Sequence, residues 1–108
     1  MSEREPNPSP LVTLGIVNWN CGRFLPRCLA SVAAQSLQSL EIILVDNASQ
    51  DGSVEWVAEH YPNAQILRNT KNLGFARAQN QAMARARGEF YMPLNPDVEL
   101  DRRFLEEM

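Results

Sequence analysis

With 108 residues the chain suits one domain, and a domain of that size buries about two thirds of its surface. A net charge of −3 argues against a dedicated nucleic-acid binder, which carries a basic stripe, and no apolar run approaches the roughly 18 residues needed to span a bilayer. The two cysteines, Cys21 and Cys28, are too few and too far apart for a zinc site, and they read as free thiols suited to a cytoplasmic, reducing compartment.

Met1 to Pro10 is polar and proline-rich, reads as a disordered leader and has no secretion signal. A first strand is expected over 11–17, an apolar run of the kind covered on both faces. Asn18 to Gly22 is a polar loop, and a helix follows from about Arg23 to Ala34, with Phe24, Leu25, Cys28, Leu29 and Val32 at the helical period. The second strand is 41–45. The loop Asp46 to Ser53, dense in turn and capping residues, then feeds a short helix with Val54, Val57, Ala58 and Tyr61 on one face. Pro62 follows that helix, and a third strand is expected at 65–68. After the loop Asn69 to Gly74 comes an alanine-rich helix over about 75–87, with Gly88 as its stop. The fourth strand, 89–94, is expected to be irregular at Pro93, which cannot donate to a ladder. A last helix is expected over about 101–108.

Alternating strands and helices with apolar strands predict an α/β fold, a mainly parallel four-stranded sheet with helices on both faces. Ligands bind such sheets at the carboxyl ends of the strands, and all four unusual polar loops fall there. Asp46 follows four apolar strand residues, so its carboxylate stands at the crevice rim, either for a nucleobase or ribose hydroxyl or as a cap for the next helix; Asp51 and Ser53 suit capping better. Asn95-Pro96-Asp97 holds Asp97 in a fixed direction, because proline restricts its own backbone and that of Asn95. Such a carboxylate either binds Mg²⁺ or Mn²⁺ with waters and substrate phosphates, or merely starts a helix after a proline turn. Gly74 can bring backbone amides to an anion at a helix start, yet the loop lacks the P-loop lysine and the three-glycine dinucleotide fingerprint. Asn80, about two turns into that helix, faces either crevice or solvent. Trp19 either stacks on a base or packs on the helix after it, while His60, Arg85 and Arg87 read as solvated.

The stretches Val17-Asn18-Trp19-Asn20, Ile43 to Ser53, Asn72 to Ala76, Asn80, Gly88-Glu89 and Leu94 to Asp97 stand in the order and spacing of family 2 glycosyltransferases. The chain resembles that family over nearly everything after Pro10, and most of all its bacterial rhamnosyltransferase-like branch. The resemblance implies the Rossmann-like nucleotide-binding half of a GT-A fold and transfer of a sugar, of hexosyl type, from a nucleotide diphosphate donor, usually with inversion. It implies that Val17 and Asn18 line the nucleoside pocket, that Asp46 contacts a uracil or thymine base, and that Asn72 and Gly74 lie beside the nucleotide. Asn80 matches a family asparagine, although Gln79 and Ala82 replace an arginine and a glycine often found near it. Asn95 and Asp97 occupy the place of the DXD motif, with Asn95 in the first acidic position. Asp97 is then the main ligand of Mg²⁺ or Mn²⁺.

By that resemblance the general base and the acceptor site come from a second half, so 11–108 is expected to be a truncated donor-binding subdomain, inactive alone. The donor would be UDP- or dTDP-linked and the acceptor a glycan or lipid-linked sugar, with polysaccharide synthesis in the cytoplasm or at the inner face of the membrane. An open sheet edge predicts homodimers. The competing readings are a nucleotide-binding scaffold without transfer activity and a sugar-phosphate nucleotidyltransferase; the latter lacks its glycine-rich basic loop after the first strand.

Overall fold

The computed structural model describes residues 10–107. The expected leader, apart from Pro10, lies outside the described residues, as does Met108. The order is β1 (Val12–Asn18), α1 (Leu25–Ala33), β2 (Leu40–Asn47), α2 (Ser53–His60), β3 (Gln65–Asn69), α3 (Phe75–Arg85) and β4 (Phe90–Pro93). The strands form one wholly parallel sheet, ordered β3-β2-β1-β4.

The two-residue period of the strands divides the core. Val12, Leu14, Ile16 and Leu44 pack with Leu25, Cys28, Leu29 and Val32 of α1 and Val57 of α2. Val17, Ile43 and Val45 point to the other face, against Ala78 and Ala82 of α3. Both faces of β1 are therefore covered, and its seven residues are all buried. Each fully buried leucine or isoleucine contributes about 2 kcal/mol.

The close approach of α3 depends on more than its alanines. Gln79, also buried, donates from Nε2 to the Gly15 carbonyl at 3.0 Å. The Tyr91 hydroxyl donates to Gln79 Oε1, and a Cβ on Gly15 would collide with both side chains. Gly88 has a similar role. It lies beyond the end of α3, which stops at Arg85, and its φ is not positive, so it is not the expected left-handed helix stop. A Cβ there would stand 2.7 Å from the Thr13 backbone nitrogen, so space at β1 requires glycine.

Arg87 is likewise outside the helix, and its side chain is exposed but ion-paired. Its Nε meets Glu41 Oε2 at 2.9 Å and its backbone N–H meets Oε1 at 2.9 Å. Burial pushes the Glu41 carboxyl up. The Arg87 backbone N–H, the Thr13 hydroxyl and the Arg87 guanidinium outweigh that and hold it below the usual carboxylate range.

The expected last helix is corrected: residues 101–107 form turns. An α-helix would join the Asp101 carbonyl to the Leu105 N–H. Instead the Gln35 carboxamide stands between them, donating from Nε2 to the Asp101 carbonyl at 2.6 Å and accepting the Leu105 N–H at Oε1 at 3.1 Å. The Ser36 N–H also takes the Arg102 carbonyl at 2.9 Å.

Successive strands run outward from β1 through β2 to β3, and the chain then crosses to β4 on the far side of β1. The strand order therefore reverses between β1 and β4. In parallel α/β sheets, that switch point opens the crevice beyond the carboxyl ends.

Candidate functional site at the carboxyl edge of the sheet

The loops after β1 and β2 are bound to each other by buried side chains. Asn18 is 0% exposed, and its Nδ2 donates to Asp46 Oδ1 at 2.8 Å and to Ser53 Oγ at 2.7 Å. Its Oδ1 accepts the Cys21 N–H at 3.1 Å, which turns the chain toward α1. Asp46, 1% exposed, also accepts the Ser49 N–H at Oδ2, at 2.9 Å. Both of its oxygens thus serve the fold. Asp51 accepts the Ser53 hydroxyl at 2.5 Å and the N–H groups of Gly22 and Ser53 at 2.9 and 3.0 Å; the hydroxyl first, and then these N–H groups, hold its carboxyl below the usual range. Trp19, immediately after Asn18, is 55% exposed.

Asn47 follows Asp46 on the same strand, so the pleat turns it to the opposite face. It is 2% exposed and joins three points of the third loop. Its Nδ2 donates to the Gly74 carbonyl at 3.2 Å, and its Oδ1 accepts Asn69 Nδ2 at 3.0 Å and the Leu73 N–H at 3.4 Å. Asn72 accepts the Gly74 N–H at 2.8 Å, and Gly74 takes a φ of +86°, a left-handed conformation that glycine adopts without strain. Asn72 and Gly74 are exposed at the start of α3. Asn80 is exposed on α3, and Val17 packs beneath α3 in the core.

The acidic loop leaves β4 at Pro93. The Leu94 N–H donates to the Gly15 carbonyl at 2.8 Å, and the Val98 N–H closes a turn on the Asn95 carbonyl at 3.1 Å. The Cys28 thiol lies 3.8 Å from that same carbonyl. Burial, and then the negative charge of Asp97, push this thiol up to about 11. Asn95 and Asp97 are both exposed. Among the described residues the Asp97 carboxylate takes no hydrogen bond or ion pair.

No group of three or more His, Cys, Asp or Glu that could hold a metal occurs among the described residues. The donor set therefore does not fit an all-protein metal cage. It does fit a hard cation held by one uncommitted carboxylate, waters and the phosphates of a ligand. A cavity of about 930 Å³, lined in part by Val32, Leu40, Ile42, Tyr61 and Pro62, lies at the amino end of β2 and includes none of these residues.

Sequence reasoning missed Asn47, Gln79 and Gln35. Asn47 was readable as the second of two adjacent polar residues ending an apolar strand, one for each face. Gln79 and Gln35 show only as lone polar residues beside apolar positions, a weak signal.

A family model described as Glycosyl transferase family 2 matches residues 13–108. The chondroitin synthase of Escherichia coli is 33% identical over 90 residues, covering 82% of this chain and 13% of that protein. S. aureus TarS 1-349, solved in complex with UDP, superposes with a TM-score of 0.84 at 22% identity, over 90% of this chain and 30% of that one. At that identity the likeness shows the fold. The mannosyltransferase PcManGT from Pyrobaculum calidifontis, solved in complex with GDP-Man and Mn2+, has a TM-score of 0.77 at 28% identity, over 92% of this chain and 31% of its own. The chain thus spans less than a third of each of these proteins.

Proposed function

The chain belongs to glycosyl transferase family 2, with the GT-A fold, and from that premise we propose that its carboxyl-edge crevice binds the donor, a nucleotide diphosphate sugar, for transfer to a glycan or lipid-linked acceptor. The observation that carries the reading is the meeting of four polar loops at one sheet edge, around the switch between β1 and β4.

The roles divide by loop. Asn18 and Asp46 shape the nucleoside end, and Val17 supports it from the core. With its oxygens already bonded at 2.8 and 2.9 Å, Asp46 meets a uracil or thymine base through its remaining lone pairs. Asn72 and Gly74 border the nucleotide at the start of α3, with Asn80 beside them on the same helix. Asn95 and Asp97 stand at the diphosphate, and Asp97 would hold Mg²⁺ or Mn²⁺. A divalent cation there neutralises charge developing on the diphosphate leaving group. PcManGT, which carries Mn2+ and GDP-Man together, supports this pairing.

Transfer with inversion needs a general base to take the acceptor proton. We assign that base and the acceptor site to the length of the relatives that this chain does not span, and expect the 108 residues alone to bind the donor without turnover. A cytoplasmic setting suits the free thiols of Cys21 and Cys28. The outer edge of β4 has no strand partner among the described residues, which favours self-association.

Calorimetric titration with UDP, dTDP and GDP, each with and without Mn²⁺, tests the reading. One nucleotide should bind and bind tighter with the metal. A folded sample that takes none of them contradicts the donor-site assignment.

A further inference from the structure

We propose that Cys28 and Ser31 of α1, with Gln35 just past its end, form a positioning ladder that sets where the Asp97 loop stands, and so how well Asp97 meets a cation bound to a diphosphate. The inference rests on the donor-site reading above.

Cys28 and Ser31 lie three residues apart on one side of α1, and Gln35 follows just after its C-cap, Ala34. Each meets the backbone that carries or follows the acidic tripeptide. The Cys28 thiol lies 3.8 Å from the Asn95 carbonyl. The Ser31 hydroxyl donates to the Cys28 carbonyl at 2.7 Å, which leaves its oxygen to accept the Leu100 N–H at 3.0 Å. Gln35, 2% exposed, uses both ends of its carboxamide, on the Asp101 carbonyl and the Leu105 N–H. The same Nε2 donates to the Ser31 carbonyl at 3.1 Å, so the top rung is itself fixed on the helix.

The loop is thereby held on both sides. Leu94 is tied to Gly15 in front of it, residues 95 and 100 are tied to α1 behind it, and residues 101 and 105 to Gln35 just after that helix. Pro96 removes one more backbone freedom in between. The exposed Asp97 side chain stands on this held backbone. A lone carboxylate ligand has no protein partner ligand to correct its aim, so its position depends on the backbone that bears it.

The test compares the unaltered chain with Ser31→Ala, Gln35→Met and Asp97→Ala, titrated with whichever of UDP, dTDP or GDP binds, with and without Mn²⁺. Circular dichroism confirms folding, and amide exchange follows Leu100 and Leu105. Outer partners of a metal ligand are worth about tenfold or more in metal affinity. The tightening produced by Mn²⁺ should therefore fall about tenfold in Ser31→Ala and Gln35→Met beyond any change in metal-free affinity, with faster exchange at Leu100 and Leu105 respectively. Asp97→Ala should abolish the tightening. If Asp97→Ala keeps it, the donor-site reading fails and this inference falls with it. If Asp97→Ala abolishes it while folded Ser31→Ala and Gln35→Met retain it in full, the ladder is only a structural tie and the inference is overturned. Should Gln35→Met not fold, Ser31→Ala, at a half-buried position, decides alone.

Discussion

Asp46 and Asp97 both follow apolar strands at the carboxyl edge of one sheet, yet their surroundings are opposite. Asp46 is 1% exposed, with each oxygen bonded to a different loop. Asp97 is exposed and uncommitted among the described residues. The difference follows from the strands that carry them. β2 is central, with a partner on each side, so its end is enclosed by the loops after β1 and β2. β4 is an edge strand that stops at proline, so its loop turns outward and is steadied from behind by α1. One carboxylate builds the crevice and the other is left for what enters it.

The largest effect should come from removing the enclosed acid. Asp46→Ala leaves the Ser49 N–H and part of the Asn18 amide without a charged acceptor, and should cost about 3 kcal/mol in urea unfolding. A loss no larger than that of Asp97→Ala would erase the contrast. Asn47→Ala comes next, at about 2 kcal/mol, because its buried amide adds bonds from β2 to Asn69, Leu73 and Gly74. It should also weaken nucleotide binding by loosening the start of α3. Unchanged affinity and stability would mean that the third loop holds itself.

A smaller effect, at the far end of the sheet, checks that the polar economy of the crevice is not general. The folded Glu41 carboxyl is held below its unfolded value of about 4.3, so its contribution is full above that pH and is lost as pH falls through the folded pKa. In thermal melts, the stability gap between the unaltered chain and Glu41→Gln should therefore narrow below about pH 4. A gap independent of pH contradicts the Arg87 and Thr13 partnership. Smallest of all, Asp97→Ala should change unfolding free energy by no more than about 0.5 kcal/mol while removing metal-dependent binding.

The sequence made the elements and the edge legible for a plain physical reason. The apolar runs of β1 and β2 read as strands with covered faces, the edge strands β3 and β4 are only partly buried, and the polar residues that follow each strand stand at the carboxyl rim. The strand bounds differ from expectation by a residue or two, as with β2, which begins at Leu40 and reaches Asn47. What stayed hidden were positions where a side chain replaces a backbone bond. A helix is expected over 101–108 because nothing in that stretch announces Gln35, which is 66 positions from Asp101. Gly88 read as a helix stop because glycine after a helix is common, whereas its constraint comes from Thr13 across the fold. At the site, Asp46 was visible as an acid, but its enclosure by Asn18 and Ser49 required the register that sets Asn18 beside Asp46.

The most direct test of the account uses the paramagnetism of Mn²⁺. In a proton–nitrogen NMR spectrum of the chain with bound nucleotide, substoichiometric Mn²⁺ should broaden the amides of Asn95, Asp97 and Val98 first, and spare those of Glu41 and Gln65 at the other end of the sheet. Broadening centred on any other group of residues, or none at Asp97 while nucleotide is bound, would contradict a donor site built on that carboxylate.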